Sequence, residues 1–400
     1  MSRLYHFLLP ALLVVLFSKV NAQVDSVGQQ PDSAAPRHKI AVFAPLYLDS
    51  AFDATGNYRY GKTLPKFFTQ GIEFYQGVQL AIDSLNKEGV ELDVAIFDTR
   101  SAKQTLATMI ASKDFEGTDV IIGHVNMADA QLLAHTAKNL GVPFVNANFP
   151  NEAGVTDNRQ YIILNSTLFT HCEALYKFMQ KNYALSPITV FRKKGAQEDR
   201  LNTYLKTIES STASVPLKLK YVTLSDNFTQ QELATHLDPD KTNIAFGASL
   251  DVSFASKLAQ QLAALNSSNV ASILVGMPNW DAINFSGTPF RGLDIVYSTP
   301  FYIEPSDSVA AAINSNYQAT YSFKPGEMVF RGYESVYHFA HLLTQDDNPI
   351  QEKLTSVRHR VFYDFNIQPV ISKKTGKADY YENKKLYFVK KTDGEIRAVY

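Results

Sequence analysis

The chain has 400 residues, 45% of them hydrophobic, which is more than one hydrophobic core ordinarily supports and points to two lobes. Its 38 Lys and Arg nearly balance 39 Asp and Glu, which excludes the basic excess that a nucleic-acid surface needs. A single Cys excludes an intramolecular disulfide, and a domain of this size does without one even in an oxidising compartment.

Residues 1–22 read as a secretory signal, with Arg3 as the positive start, Leu8–Phe17 as the apolar stretch and Val20-Asn21-Ala22 as a small-x-small cleavage site. That stretch is too short to span a bilayer, and no later one reaches the ~20 apolar residues required. No Cys follows the cleavage site to carry a lipid anchor, so the expected product begins at Gln23, is soluble, and is periplasmic or secreted. Residues 23–37 are rich in Gln, Ser, Pro and Asp and read as a disordered leader.

From His38 onward, strand and helix alternate. Lys39–Leu46 is an apolar run suited to a strand buried on both faces, and Asp49–Thr69 is a long polar loop. Phe74, Val78, Ala81, Ile82 and Leu85 recur on one helical face, and Gly89 stands where a left-handed cap is needed. The strand Leu92–Phe97 ends at Asp98, at the carboxyl edge where open α/β sheets bind ligands. Lys103–Lys113, Asp119–Gly123, Ala128–Leu140 and Val142–Asn146 continue the rhythm. It restarts at Tyr161–Leu164 and runs through Thr170–Tyr183, Ile188–Arg192, Glu198–Ser210, Leu219–Leu224, Gln230–Leu237, Asn243–Gly247, Val252–Leu265 and Ala271–Gly276. Gly292–Pro300 is one more strand, followed by helices Ser306–Tyr321 and Met328–Leu343. Val361–Ile371 and Lys385–Lys391 alternate like antiparallel strands around a polar turn, Lys373–Asn383. The pattern predicts right-handed βαβ units and an α/β fold of two doubly wound, Rossmann-like lobes.

Three stretches carry a family likeness: GVQLAIDSLNKEG leading into a strand that ends at Asp98, then DVIIGHVN followed by LGVPFVNAN, then FRGYESVYHF at Phe330–Phe339. Together they resemble the type I periplasmic solute-binding proteins of the branched-chain amino-acid (Leu/Ile/Val) class. The resemblance runs from Lys39 to about Leu343. It implies two lobes joined by a three-strand hinge, a ligand enclosed as the hinge closes, and no catalysis, metal or cofactor. The expected lobes are 38–155 plus 298–346, and 156–297 plus 347–400. The expected crossings fall near Asn148–Ile163, Leu293–Thr299 and Leu343–Phe362. The family's amino-acid binders place hydroxyl residues in the two ligand loops of the first lobe. Here those loops read His124-Val125-Asn126-Met127 and Asn146-Ala147-Asn148-Phe149-Pro150, without Ser or Thr. The matching loop of the second lobe reads Arg192-Lys193-Lys194-Gly195, cations where an aromatic is usual.

The expected ligand contacts are therefore Asn126, Met127, Asn146, Ala147, Asn148, Lys194, Asp251, Trp280 and Tyr302. Each has a plainer alternative. The Asn residues and Asp251 suit helix caps. The Lys193-Lys194 pair suits a solvated loop. Trp280, like Tyr302 and Tyr333, suits packing between lobes. His171-Cys172 reads as core rather than a nucleophile with its base, because adjacent helix residues point about 100° apart. Glu334, His338 and His341 share a helical face but lack any supporting metal motif. No Walker, GxGxxG or GxSxG sequence is present. The expected function is capture of a small polar ligand, an amino acid or related compound, for an ABC transporter permease or a membrane receptor. The alternative is a cell-envelope interaction or sensor protein that keeps the fold without amino-acid transport.

Overall fold

The computed structural model of the protein describes residues 37–213, 215–355 and 360–399. The signal at 1–22 and nearly all of the leader lie outside these residues. The strands are β1 His38–Ala44, β2 Leu92–Asp98, β3 Val120–Gly123, β4 Phe144–Asn146, β5 Tyr161–Ile163, β6 Ile188–Arg192 and β7 Leu219–Thr223. They continue as β8 Asn243–Gly247, β9 Ser272–Val275, β10 Asp294–Thr299, β11 Ile367–Ile371, β12 Ala378–Asn383, β13 Tyr387–Thr392 and β14 Glu395–Val399. The long helices are α1 Lys66–Lys87, α2 Met127–Leu140, α3 Leu168–Tyr183, α4 Ala196–Ser211, α5 Val252–Ser267, α6 Ser308–Tyr321 and α7 Glu327–Thr344.

Two seven-stranded sheets result, in the orders β11-β12-β5-β4-β3-β1-β2 and β14-β13-β10-β9-β8-β6-β7. The parallel part of each is a doubly wound unit whose order reverses once, between β1 and β3 in the first sheet and between β6 and β8 in the second. Helices cover both faces of the first sheet. Its even-numbered β1 residues Ile40, Val42 and Ala44 face α1, α6 and α7, while Ala41 and Phe43 face α2. A separate core, from Cys172 to Val296, fills the second lobe.

The start of the chain follows its sequence pattern closely. Phe74, Val78, Ala81 and Leu85 of α1 are buried, Ile82 is half-buried, and Gly89 ends the helix at φ 78° with Val90 N donating to Leu85 O at 2.9 Å. The helix starts at Lys66, so the expected loop over 49–69 is shorter and also holds a turn of helix at Leu48–Ala51.

The crossings between lobes differ from expectation. The chain passes from sheet to sheet over residues 164–167, 300–307 and 384–386. The first crossing comes late because β5 still pairs with β4 in the first sheet, Tyr161 opposite Phe144. The third comes far later, since β11 and β12 form a hairpin whose second strand lies parallel to β5, Tyr381 opposite Ile162. The stretch Lys373–Asn383, expected as a turn, thus supplies a strand with buried Tyr381, Glu382 and Asn383. Residues 156–164, 347–355 and 360–383, assigned from sequence to the second lobe, belong with the first sheet and its core, and 298–299 belong with the second.

Candidate functional site

The crossings leave β5, β10 and β12 at the carboxyl ends, so these edges of the two sheets face one another. Each edge holds a point where strand order reverses, which is the position of the ligand crevice in open α/β sheets.

In the first lobe the crevice lies between the loops after β1 and β3. Asp98 does not reach into it. Its carboxylate accepts from the N–H groups of Leu46, Tyr47, Leu48 and Arg100 at 2.8–3.0 Å and pins the β1 loop. Asn126 caps α2, accepting from Asp129 N at 2.9 Å, and Met127 beside it is 52% exposed. Asn148 bonds both ways with Val125, accepting from its N at 2.7 Å and donating to its O at 3.1 Å, which ties the β4 loop to the β3 loop. Asn146 is buried and holds its own loop by donating to Phe149 O at 2.8 Å and Tyr161 Oη at 2.9 Å. Ala147 is buried beside it.

The residue type missed from sequence is His124. It continues β3, its N donating to Phe43 O at 2.8 Å, and its ring lies 5.6 Å from that of Phe74. Burial, with the nearby Arg331 and Arg100 guanidinium groups adding to it, lowers its pKa to about 4, so the ring is neutral. Its buried Nδ1 has no hydrogen-bond partner among the described residues, nor does Thr99 Oγ1 after β2. Arg100 pairs with Asp129 at 2.7 Å, and Arg331 pairs with Glu327 and lies 3.5 Å over the Phe301 ring. No sequence motif marks His124. Only its place one residue past a buried strand does.

In the second lobe the crevice lies between the loops after β6 and β8. Lys193 reaches Asp251 at 2.6 Å, and Asp251 also caps α5 through Ser253 N and Phe254 N at 2.8 and 3.0 Å. Lys193 first, then those N–H groups, hold the Asp251 carboxyl below the usual range. Lys194 is exposed. Trp280 is enclosed in the second-lobe core, not at a cleft rim. Its Nε1 donates to Ser249 O at 3.1 Å, and its ring fills the space that side chains at Gly247 and Gly276 would take. Tyr302 is half-buried on the second crossing, 5.9 Å from the ring of Tyr387 at the end of the third. Candidates thus gather at three places: Asn126, Met127, Asn146, Ala147 and Asn148 in one lobe, Lys194, Asp251 and Trp280 in the other, Tyr302 on a crossing.

The crossings are fastened by buried polar groups. Glu382 accepts from Thr167 N at 2.7 Å and Lys384 Nζ at 2.6 Å, Ser166 Oγ donates to Asn383 O at 2.6 Å, and Asn383 Nδ2 donates to Leu164 O at 3.2 Å. His171 Nδ1 lies 2.8 Å from Ser298 Oγ and binds α3 to β10, the strand that leads into the second crossing. Complete burial lowers the His171 pKa to about 3, and burial raises that of Cys172 to about 12, so the two are a neutral core pair of neighbours. Glu334 accepts from Val361 N and Phe362 N, and no group of three metal-ligating side chains occurs among the described residues.

No family model matches the sequence, and no curated protein matches it. Solved structures do. A putative branched-chain amino acid ABC transporter protein from Rhodospirillum rubrum superposes with a TM-score of 0.65 at 13% identity, over 91% of this chain and 100% of that one. A branched chain amino acid ABC transporter periplasmic ligand-binding protein from Burkholderia xenovorans gives 0.60 at 14% identity, over 91% and 95%. The leucine binding protein LivK of Thermotoga maritima gives 0.51 at 17% identity, over 91% and 98%. The chain has the type I periplasmic-binding-protein fold. In this type I chain no described helix is long and apolar enough to cross a membrane, and the neighbours named above are binding or transport proteins.

Proposed function

We propose that the protein is an exported solute-binding protein that closes its two lobes on a small polar ligand, an amino acid or related compound, and presents it to an ABC transporter permease or a membrane receptor. The observation that carries the reading is the reversal of strand order at the facing edges of both sheets, with neutral His124, whose buried Nδ1 has no partner among the described residues, at one and the Lys193–Asp251 pair at the other. A ligand with a hydrogen-bonding group for His124 and a charged group for Lys193, Lys194 or Asp251 would touch both lobes and stabilise only the closed state. Asn126 offers its exposed amide, Met127 and Tyr302 offer apolar surface, and Asn146, Asn148 and Trp280 act by holding the loops.

The test is a thermal-shift screen of the exported protein against amino acids, short peptides and sugars. A hit raises the melting temperature in wild type and loses that rise in Met127→Arg or His124→Phe. Silence across the library favours the second reading, an envelope interaction or sensor protein. The observation behind that reading is that Asn146, Asn148 and Asp251 are already spent on loop and cap hydrogen bonds.

A further inference from the structure

The two sheets end in four edge strands, β11 and β2 in the first and β14 and β7 in the second. Exposed edges invite pairing with another strand, and proteins blunt them with Pro, charges or bulges. Three are blunted here. β11 contains Pro369 and a register shift at Val370/Ile371, β14 carries Glu395 and Arg397, and β7 carries Lys220. β2 is the least blunted, since its charges, Asp93 and Asp98, stand near its two ends and Val94-Ala95-Ile96-Phe97 between them runs apolar.

The ladder shows which groups are free. Thr99 N donates to Ala44 O at 2.9 Å, and Ala44 stands opposite Asp98. Strand alternation therefore turns the N–H and C=O of Asp93, Ala95 and Phe97 toward β1, and those of Val94 and Ile96 away from it. Beside that outer edge lies a cavity of about 510 Å³, floored by Asp93–Asp98 and walled by Asp49, Gln104, Met109 and Asp114. Four carboxylates line it, Asp49, Asp93, Asp98 and Asp114, against one ammonium, Lys39. Asp98 and Asp49 are engaged with backbone N–H groups, Ser101 and Lys103, whereas among the described residues Asp93 meets only Lys39, at 3.8 Å, with a side chain 60% exposed, and Asp114 is exposed.

We propose that the β2 edge docks an extended peptide segment bearing Lys or Arg, which joins the first sheet as an added strand. Its backbone bonds to Val94 and Ile96 at the usual strand spacing of about 4.7–4.9 Å, and its cations meet Asp93 and Asp114. This surface is the outer strand of the sheet, whereas the ligand crevice lies between β1 and β3, so the two are separable.

The test uses the full exported protein and a fluorescent, end-blocked peptide of alternating Lys and Val. Saturable binding by anisotropy is expected. A copy N-methylated on alternate backbone nitrogens, and a Glu–Val copy, should each bind at least about tenfold more weakly. Val94→Pro, which deletes only an outward N–H, and the double change Asp93→Lys with Asp114→Lys should each weaken the Lys–Val peptide by about tenfold. The charge variant leaves the ladder intact and decides the matter if the Pro variant fails to fold. No saturable binding of the Lys–Val peptide, or equal binding of its N-methylated copy, overturns the proposal.

Discussion

Glu334 shows how a side chain that looks like a ligand serves the fold instead. It lies wholly buried in α7, and burial outweighs its bonds from Val361 N and Phe362 N, raising its pKa to about 7. The folded state therefore holds the proton that the unfolded chain releases near pH 4.5. This contribution is fully present below that pH and is lost as pH rises through about 7. Melting of wild type against Glu334→Gln at pH 5 and pH 8 should show wild type losing ground to the variant at the higher pH. Cys172 makes a second case. With burial raising its thiol pKa to about 12, it should resist a thiol reagent in the native protein and react on unfolding. Asn148 makes a third, since Asn148→Ala frees Val125 N and O in a half-buried loop and should cost about 1–3 kcal/mol in a denaturant titration.

At the scale of elements, α1 and α7 are held at a distance only glycine permits. A Cβ at Gly77 would stand 1.9 Å from Val329 O, and one at Gly332 would stand 2.1 Å from Phe74 O. Gly332→Val should destabilise by about 3 kcal/mol or more, seen as a lowered denaturant midpoint with unchanged slope. The amphipathic face of α1 and its glycine cap were legible because periodicity and positive φ are written in local sequence. Parallel strands β1 to β4 were legible for the same reason. The hairpin β11–β12 was not, because Ala378–Asn383 reads as polar in isolation. It becomes a strand by pairing with β11 on one side and with β5, more than 200 residues earlier, on the other. The place of Trp280 just past β9 suits either a cleft aromatic or packing between lobes, but the gap that receives it lies within the second lobe, made by Gly247 on β8 and Gly276 beside β9. That the Asn loops follow the carboxyl ends of β3 and β4 is legible from the strand pattern, while what their amides bind depends on tertiary neighbours.

At the scale of the whole molecule, relative motion of the lobes must pass through three short crossings and the polar groups that join them. Removing Glu382 leaves Thr167 N without its acceptor and Lys384 Nζ with Thr170 Oγ1 in place of a carboxylate. Glu382→Ala should cost about 2–4 kcal/mol, somewhat below a fully buried pair because the Lys384 side chain is 27% exposed. If ligand closes the lobes, small-angle scattering of wild type should show a smaller radius of gyration with a thermal-shift hit than without it. The routing of the third crossing also bears on biosynthesis. Lobe one needs β12, and β12 follows all of β6 to β10 of the second lobe in the chain. The second lobe lacks β13 and β14 until later still. The first sheet therefore stays open at its β5 edge until the parallel strands of the second lobe have been made, and neither lobe closes before the ribbon from β12 to β14 docks across the hinge.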